Sequence, residues 1–198
     1  MTIKRVVAGL ATLLSVLVGC SDSSTSNATT SSVSSEAPSS SVEATTTTPG
    51  PPAPPNEPGP YKVGRATVTA TSSDGKRKRT VDVWYPVDPS TTGKPSVYQT
   101  EAFPGLSYPS DVALDRVPVS SGGPFPLVIY SHGSGGLRFI ASFFTEVLAS
   151  HGFVVASVDH VGDTVMDLFQ GRGPASTPEV ISDRVADVSL AVDDLLAG

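Results

Sequence analysis

Cysteine, histidine and tryptophan are scarce in this sequence. Its 198 residues include one Cys, three His and one Trp. A single Cys cannot close a disulfide within the chain, so the fold has to rest on its apolar core. The three histidines are dispersed and no second Cys accompanies them, so they lack the clustering that metal ligands need. The sequence therefore predicts no metal site.

Basic residues are also few, and acidic residues outnumber them. The chain has 13 Lys and Arg against 19 Asp and Glu, a formal net charge of −6. Nucleic acid is a poor partner for such a surface, because binding to it depends on neutralising phosphates. The one basic cluster, Lys76–Arg79, follows the dipeptide Asp74-Gly75, which is typical of hairpin turns. We expect this cluster to be a solvated turn.

The chain has no apolar run long enough to span a bilayer. Its longest run of apolar and small residues, Val6–Val18, falls short of the roughly 20 that a transmembrane helix needs. Two basic residues precede the run, as in a secretory signal peptide. The run leads into Leu17–Cys20, which resembles the bacterial lipobox. This implies removal of residues 1–19 and lipidation of Cys20, which would anchor the exported protein to the outer face of the bacterial cell membrane or envelope. The alternative is an ordinary signal peptide with a chance cysteine.

Residues 20–60 have the composition of a tether. Ser21–Gly50 contains 18 Ser or Thr and few large apolar groups, so it cannot offset the entropy cost of ordering. Pro49–Pro60 then contains seven prolines and should be stiff and extended. We therefore expect a disordered tether over residues 20–60 and a folded domain over residues 61–198.

The folded part opens with an antiparallel hairpin. Ala and Val alternate with polar residues over Gly64–Thr71, Ser72–Gly75 has the composition of a turn, and Thr80–Tyr85 is the returning strand. Val87–Gly123 is rich in Pro, Ser and Thr and predicts a long loop, with a short helical turn near Asp111–Arg116. Such a loop could cover part of a site or pack around an edge of the sheet.

A strand–helix–strand unit follows. The continuous apolar run Leu127–Ser131 predicts a strand of a parallel sheet that helices cover on both faces. Apolar residues over Phe139–His151 recur at helical spacing, and Phe153–Val158 predicts a second buried strand. The predicted apolar face of the helix consists of Ile140, Phe143, Phe144, Val147 and Leu148.

A long helix ends the predicted order of elements. Val161–Thr177 carries three Gly and a Pro and predicts a loop. Thr177, Pro178 and Glu179 supply an N-cap, a first-turn Pro and a first-turn acid for a helix to about Ala197. Its predicted apolar face consists of Ile181, Val185, Val188, Val192 and Leu195, and its polar face carries Asp183, Asp187 and Asp194.

Several stretches of this folded part resemble the N-terminal half of an α/β-hydrolase. They are Thr80–Pro86, Pro126–Gly133 and Leu148–His160, and the helix around Arg184–Leu196 is similar as well. The group that they resemble most is that of the platelet-activating-factor acetylhydrolases and dienelactone-hydrolase-like enzymes. The resemblance implies an α/β fold in which the hairpin, the βαβ unit and the further helix form the first half of the hydrolase domain.

In such enzymes a Ser on a Gly-x-Ser-x-Gly turn is the nucleophile, and an acid and a His follow it. The printed residues contain no such motif, so the resemblance implies that these three groups lie beyond Gly198. The glycine loop His132–Gly136 corresponds to the oxyanion loop of the group. Its site residues would be Gly133, Ser134 and Gly135, with the backbone N–H of Ser134 as the donor and the glycines giving substrate access.

Ser134 itself is a weaker candidate for the nucleophile. It follows a strand and precedes a helix, but His132 stands where the motif has a Gly. No triad partner follows it, because Asp159 and His160 are adjacent at a strand end and their side chains diverge. We expect His132 to lock the loop by hydrogen bonding inside the fold, and His151 to suit the C-terminus of a helix. His132 and His160 are candidates for the rim of the site, and His160 could instead support the site from behind without a catalytic role.

The sequence leaves three functions open. The first is an exported, lipid-anchored serine ester hydrolase that acts on short acyl esters or acetyl phospholipids through an acyl-enzyme and needs no cofactor. The second is a non-catalytic surface lipoprotein or decayed hydrolase scaffold. The third is a dienelactone or polyester hydrolase. The 198-residue chain alone is expected to be an inactive, poorly folding truncation, with an open apolar edge at Leu127–Ser131 where the nucleophile strand would pair.

Overall fold

The computed structural model describes residue 54 and residues 56–100, 105, 107–172 and 177–197. The predicted signal peptide, Cys20 and the Ser/Thr-rich part of the predicted tether lie outside these residues, so the expectations about them stay predictions. None of the helices in the described ranges combines the length and the apolarity needed to cross a membrane.

The described part of the chain is built on a six-stranded mixed sheet with helices on both faces. The strands are β1 (Lys62–Thr71), β2 (Lys78–Val87), β3 (Pro95–Gln99), β4 (Ser107–Asp115), β5 (Leu127–Tyr130) and β6 (Val154–Val158). Their order across the sheet is β3-β4-β1-β2-β6-β5. The helices are α1 (Ser142–Ser150), α2 (Val165–Phe169) and α3 (Pro178–Leu196). This arrangement confirms the predicted α/β class, the opening antiparallel hairpin and the βαβ unit.

The opening hairpin carries a charge inside the fold. β1 and β2 pair antiparallel, with Lys62 opposite Val87 at one end. Arg65 belongs to the polar side of the predicted alternation, yet its side chain is buried. Its guanidinium lies 2.6 Å from the carboxylate of Asp82 on β2, so the charge is compensated where it is buried.

Residues 87–123 form two strands where a long loop was predicted. β3 and β4 pair antiparallel, and β4 adds parallel to β1. The helical turn expected near Asp111–Arg116 is wrong, because Asp111–Asp115 belongs to the extended strand β4. These strands lie at the outer end of the sheet, where polar side chains and the prolines Pro95 and Pro109 are tolerated. The apolar alternation that marks an inner strand is therefore weak in this part of the sequence.

Helices cover both faces of β5 and β6, as the apolar runs predicted. Ile129 of β5 packs with the cluster that contains Leu190 and Leu195 of α3. Its neighbour Val128 packs on the opposite face, in the cluster that contains Ala149 of α1. β5 ends the sheet and, among the described strands, pairs only with β6. This is the open edge that the family resemblance implied.

α1 buries a different face from the one that its apolar spacing predicted. Phe143 and Phe144 were expected in the core and are 75% and 46% exposed. The side chains that α1 buries are those of Thr145, Glu146, Ala149 and Ser150. Glu146 is tolerated there because Tyr98 and Ser110 each donate a hydrogen bond of 2.6 Å to its Oε1. The face with Thr145, Glu146, Ala149 and Ser150 thus lies on the sheet. Of the predicted apolar face, Ile140, Phe143 and Phe144 are exposed, whereas Leu148 packs against the core.

The N-terminus of α3 is confirmed, whereas its predicted faces are partly wrong. The side chain of Thr177 caps the helix. Asp187 was expected on the polar face and is fully buried. Ile181 and Val185 were expected in the core and are 57% and 62% exposed. Leu195 is buried as predicted. The helix therefore lies on the sheet rotated from the orientation that its apolar spacing suggested.

Two short segments are ordered where a loop and a tether were predicted. α2 lies within the predicted loop and begins with a capping box formed by Thr164 and Asp167. Gly59 lies in the predicted tether, and its backbone N–H donates to Ser150 Oγ at 2.8 Å. A Cβ on Gly59 would stand 2.3 Å from the Ser150 carbonyl oxygen, so only glycine fits this contact. The fold therefore begins before Tyr61.

Candidate active site

The glycine loop His132–Gly136 follows β5 and Ser131 at the edge of the sheet where the parallel strands end. This is the edge at which ligand sites form in α/β folds. Gly135 N–H donates to the carbonyl oxygen of Asp163 at 3.1 Å, and Val165 N–H donates to that of Gly136 at 3.1 Å. The loops that follow β5 and β6 are therefore joined by backbone hydrogen bonds into one layer.

The two glycines predicted to give substrate access differ in their surroundings. Gly135 has a φ of +68°, and a Cβ on it would lie 2.5 Å from Leu168 Cδ1 of α2. Gly135 is therefore needed for the turn and for the close approach of α2. A Cβ on Gly133 would meet no described atom within 4 Å. Access to the loop is thus open at Gly133 and closed at Gly135.

Ser134 lies exposed in this loop. Within the described residues its backbone N–H has no hydrogen-bond acceptor, so it can serve as the anion donor that the sequence predicted. Its hydroxyl donates to Asp163 Oδ1 at 2.6 Å, and not to an imidazole. A hydroxyl held by a carboxylate has no general base of the usual kind, which argues against Ser134 as the nucleophile. The oxyanion role of Ser134 stays a prediction.

Asp163 and Arg184 hold the glycine loop from the side of α3. Arg184 Nη1 lies 2.6 Å from Asp163 Oδ2. Burial disfavours the charged carboxylate of Asp163, but the hydrogen bonds from Ser134 and Arg184 outweigh that effect and lower its pKa. Asp163 is therefore ionised over the whole neutral range, and the contact with Arg184 is a charged one.

His132 is fully buried beneath the loop. Its Nε2 accepts the backbone N–H of His160 at 3.2 Å, so Nδ1 carries the ring proton and donates to Gly133 O at 2.8 Å. Burial lowers the pKa of His132, which keeps the ring neutral. His132 has the locking role that was expected, but the expectation that it borders the site surface is wrong.

Ser131, His160 and Asp187 form a hydrogen-bonded chain that sequence reasoning missed. Ser131 Oγ lies 2.8 Å from His160 Nε2, and His160 Nδ1 lies 3.3 Å from Asp187 Oδ2. The order of hydroxyl, imidazole and carboxylate is that of a serine-hydrolase triad. His160 is 1% exposed, so of the two expected roles its burial excludes the rim and is compatible with support from behind the site. A usable signal existed, because Ser131 and His160 follow two apolar strands whose ends meet at one sheet edge.

Asp187 also compensates two arginines of the opening hairpin. Arg77 Nη1 and Arg79 Nε each lie 2.7 Å from Asp187 Oδ1. The expectation of a solvated turn over Lys76–Arg79 is therefore wrong at these two arginines, because a buried carboxylate needs positive partners. Burial disfavours the ionised form of Asp187, but the hydrogen bonds from His160 and Arg77 lower its pKa. Asp187 thus joins α3, β2 and the end of β6.

The remaining candidates have structural partners. Asp159 points away from His160, as predicted, and its Oδ2 lies 2.6 Å from Arg138 Nη1. His151 is the C-cap of α1, and its Nε2 lies 2.8 Å from the carbonyl oxygen of Glu57. Among the described residues, no three His, Cys, Asp or Glu side chains are arranged to hold a metal ion.

Two cavities lie near this edge of the sheet. A cavity of about 350 Å³ adjoins Ser131 and Arg184 and is otherwise lined by Ile181, Val185, Val188 and Ser189 of α3. A larger, polar cavity of about 780 Å³ is lined by residues on or next to β1, β2, β3 and β4, together with Arg138 and Asp159. The smaller cavity shares Ser131 and Arg184 with the hydrogen-bond network under the glycine loop.

Comparison with known proteins gives a consistent family. The model of the family "Platelet-activating factor acetylhydrolase, isoform II" matches residues 77–172. Platelet-activating factor acetylhydrolase of Cavia porcellus is 51% identical over 43 residues, which cover 22% of this chain and 10% of that protein. The enzyme of Bos taurus is 52% identical over 40 residues, covering 20% of this chain and 9% of that protein. The matched stretches thus span about a tenth of these relatives.

A solved structure with a similar arrangement is the ferulic acid esterase from Streptomyces cinnamoneus. Its sequence is 23% identical, and the match covers 67% of this chain and 46% of that chain with a TM-score of 0.45. The family match over residues 77–172 includes β2 through α2 and therefore the whole glycine loop. The match confirms the expected resemblance to the platelet-activating factor acetylhydrolase family over residues 77–172, just under half of the chain.

Proposed function

We propose that this protein is an exported, lipid-anchored serine ester hydrolase of the platelet-activating factor acetylhydrolase type. The observation that carries the proposal is the backbone N–H of Ser134, which lies in an exposed glycine loop and lacks an acceptor among the described residues. Such a donor suits the oxyanion of a tetrahedral intermediate, because a fixed dipole needs no reorganisation while charge develops. The match of residues 77–172 supports the assignment.

The reaction would run through an acyl-enzyme. A serine hydroxyl attacks the ester carbonyl carbon, an imidazole takes its proton, and the carbonyl oxygen becomes the oxyanion that Ser134 N–H binds. The bond to the leaving alcohol then breaks, and the alcohol takes the proton from the imidazole. Water attacks the acyl-enzyme in the same way and releases the acid. In this scheme the described residues contribute the oxyanion donor, the backbone N–H of Ser134.

We assign the nucleophile to a Gly-x-Ser-x-Gly segment that is not among the printed residues, since these hold no such motif. Two features support this. β5 ends the described sheet, and Ile181 and Val185 are exposed on α3, around the cavity that adjoins Ser131 at the end of β5. A further parallel strand along β5 would bury these apolar side chains. A serine that follows such a strand would lie next to the glycine loop.

The proposed substrates are esters of short acyl groups, including acetylated phospholipids. The test is hydrolysis by the full-length gene product of model esters with acetyl, butyryl and long-chain acyl groups on one leaving group, alongside a lactone and a polyester. Preference for acetyl esters is the expected result. Preference for lactones or polyesters would support a dienelactone-type hydrolase instead. An intact fold without any hydrolysis would support a non-catalytic surface lipoprotein.

The role of Ser134 can be tested separately from its hydroxyl. Ser134→Pro removes the backbone N–H, and Ser134→Ala keeps it. We expect kcat to fall about 10²- to 10³-fold in Ser134→Pro, as when other oxyanion donors are removed. We expect a loss of at most about tenfold in Ser134→Ala, because the hydroxyl only positions the loop. Complete inactivity of Ser134→Ala, with the fold preserved, would identify Ser134 as the nucleophile and refute the proposed role.

The proposed anchor depends on Cys20. In a bacterial host, the full-length protein should incorporate labelled fatty acid and partition with the membrane, because two or more acyl chains bind a bilayer stably. Cys20→Ser should abolish both. Ser21→Ala serves as the control, since it leaves the lipobox cysteine in place. Equal membrane association of Cys20→Ser and the control would contradict the anchor.

A further inference from the structure

We propose that Arg184 and Asp187, one helical turn apart on α3, are positioning residues for the oxyanion loop. Arg184 acts through Asp163, and Asp187 acts through His160. The proposal rests on the proposed function only for the role that it gives to the loop. The contacts on which it is built belong to the fold itself.

Arg184 binds the start of the glycine loop through hydrogen bonds. Its Nη2 donates a short hydrogen bond to the carbonyl oxygen of His132 and a second bond of 3.1 Å to Ser131 Oγ. Its Nη1 donates to Asp163 Oδ2 at 2.6 Å. A planar guanidinium with several donors in fixed directions can hold these three acceptors in one geometry, which a lysine ammonium cannot.

Asp163 connects Arg184 to the turn of the loop at Ser134 and Gly135. The Ser134 hydroxyl donates to Asp163 Oδ1 at 2.6 Å, and Gly135 N–H lies 3.3 Å from the same oxygen. The carboxylate therefore holds the residue that carries the proposed oxyanion donor and the residue after it. Arg184 binds the other oxygen of this carboxylate, Oδ2. Arg184 and Asp163 together therefore fix the orientation of the loop backbone from His132 to Gly135.

Asp187 supports the loop from below. Its Oδ2 lies 3.3 Å from His160 Nδ1, and His160 Nε2 lies 2.8 Å from Ser131 Oγ. The backbone N–H of His160 also donates to Nε2 of the buried His132 at 3.2 Å. Both His160 and Asp187 are buried, so these hydrogen bonds do not compete with bulk water. Arg184 and Asp187 therefore reach the same hydroxyl of Ser131 from two directions.

The geometry favours positioning over nucleophilic attack by Ser131. In a triad the carboxylate serves one imidazole, whereas the Oδ1 of Asp187 also faces Arg77 and Arg79 at 2.7 Å each. Ser131 Oγ also accepts a hydrogen bond from Arg184. Asp187 Oδ1 thus belongs to ion pairs, and Ser131 Oγ to hydrogen bonds, that hold α3 against the strand ends.

Amide hydrogen exchange on the purified protein tests the positioning directly and needs no activity. In the wild type, Gly135 N–H is protected by its hydrogen bonds to Asp163. Arg184→Lys keeps the charge and loses the fork, and Arg184→Ala loses both. We expect Gly135 exchange to accelerate about tenfold or more in Arg184→Ala and by less in Arg184→Lys. The matched control is Arg172→Ala, which removes an Arg–Asp pair of 2.8 Å to Asp167 on α2.

Kinetics of the full-length gene product provide the second readout. Displacement of the oxyanion donor should lower kcat about 10- to 100-fold in Arg184→Ala and Asp187→Asn, with little change in KM, because the donor acts mainly on the transition state. Arg184→Lys should recover part of kcat. Ser131→Ala should lose less activity than Arg184→Ala, because Ser131 is one of three acceptors of the guanidinium.

Each result of these experiments bears on the proposal. Unchanged Gly135 exchange in Arg184→Ala overturns it. Covalent labelling of Ser131 by a fluorophosphonate probe, together with an inactive Ser131→Ala, also overturns it and makes Ser131 the nucleophile. Accelerated Gly135 exchange without any ester hydrolysis by the wild type supports the positioning role and refutes the proposed function.

Discussion

Arg65 and Asp82 form an ion pair that is buried in the fold, with 2.6 Å between Nη2 and Oδ2. The same carboxylate oxygen lies 3.2 Å from Nε of Arg138, and Thr67 Oγ1 donates to the other oxygen at 2.6 Å. Asp82 therefore compensates two buried guanidinium groups that line the larger cavity. A charge cluster of this kind holds β1, β2 and the segment before α1 in one arrangement.

Asp82→Asn should destabilise the fold by about 3 kcal/mol. The substitution keeps the shape of the side chain but leaves Arg65 with an uncompensated buried charge, and breaking a buried pair from one side is costly. Urea denaturation followed by tryptophan fluorescence gives the free energy of unfolding. Asp74→Asn is the control, because Asp74 faces solvent in the β1–β2 turn and should leave the unfolding curve unchanged. Equal stability of wild type and Asp82→Asn would show that the pair is dispensable.

The apolar spacing of α1 predicts that stability depends on Phe143, whereas the structure predicts that it depends on Ala149. Phe143→Ala should change stability by less than about 0.5 kcal/mol, because the side chain is mainly exposed. Ala149→Leu should cost about 2 kcal/mol, because the residue is fully buried against the sheet and the extra atoms overpack it. Thermal melts of both variants measure the difference. A larger loss in Phe143→Ala than in Ala149→Leu would mean that the helix lies the other way round.

The stability of the fold should decrease as the pH falls below about 6.5, the ordinary pKa of histidine. Burial, His160 and Arg184 lower the pKa of His132, while Asp159 and the hydrogen bond to Gly133 oppose that shift. Below the ordinary value the unfolded chain binds a proton that the folded chain does not, so stability falls with pH by at most about 1.4 kcal/mol per unit from this group.

His132→Asn removes this titration and can keep a hydrogen bond to Gly133. Denaturant unfolding between pH 5 and 7.5 should therefore show a smaller slope of stability against pH for His132→Asn than for the wild type. The difference between the two slopes isolates His132, because the other titrating groups are common to both proteins. Identical slopes would show that His132 titrates normally in the fold.

The printed 198-residue chain should self-associate. β5 ends the described sheet, and α3 exposes Ile181 and Val185 around the adjoining cavity. An uncovered strand edge beside apolar side chains is a site of association. Ile181→Lys with Val185→Lys should shift sedimentation profiles toward the monomer, and Ser182→Lys, on an exposed position of the same helix, should not. A wild-type chain that stays monomeric at all concentrations would contradict this prediction.

The inner strands and their connections were predictable because their signals are local. The apolar runs at β5 and β6, the turn after β1 and the cap at Thr177 each depend on neighbouring residues in sequence. β3 and β4 were not predictable from apolar pattern, because outer strands tolerate polar residues and proline. The family resemblance depended mainly on Pro126–Gly133 and Leu148–His160, and the match over residues 77–172 confirms it.

The faces of the helices could not be read from apolar spacing. The spacing predicted that Phe143 of α1 and Ile181 of α3 are buried, yet both are exposed, whereas Glu146 and Asp187 are buried. Polar side chains are buried where distant partners satisfy them, and those partners lie on β3, β4 and the opening hairpin. No local pattern contains such information.

The sequence by itself determined the α/β class, the position of the glycine loop between a strand and a helix, and the family that the segment around this loop resembles. These follow from short-range periodicity and from motifs of a few residues. Only the tertiary structure decided what holds that loop. Ser131 follows β5, Asp163 follows β6, and Arg184 and Asp187 lie on α3. These three segments meet because adjacent parallel strands end at one edge of the sheet, where α3 lies across them. Burial then makes their charges and hydrogen bonds depend on one another, which is a property of the packed fold and not of any one segment.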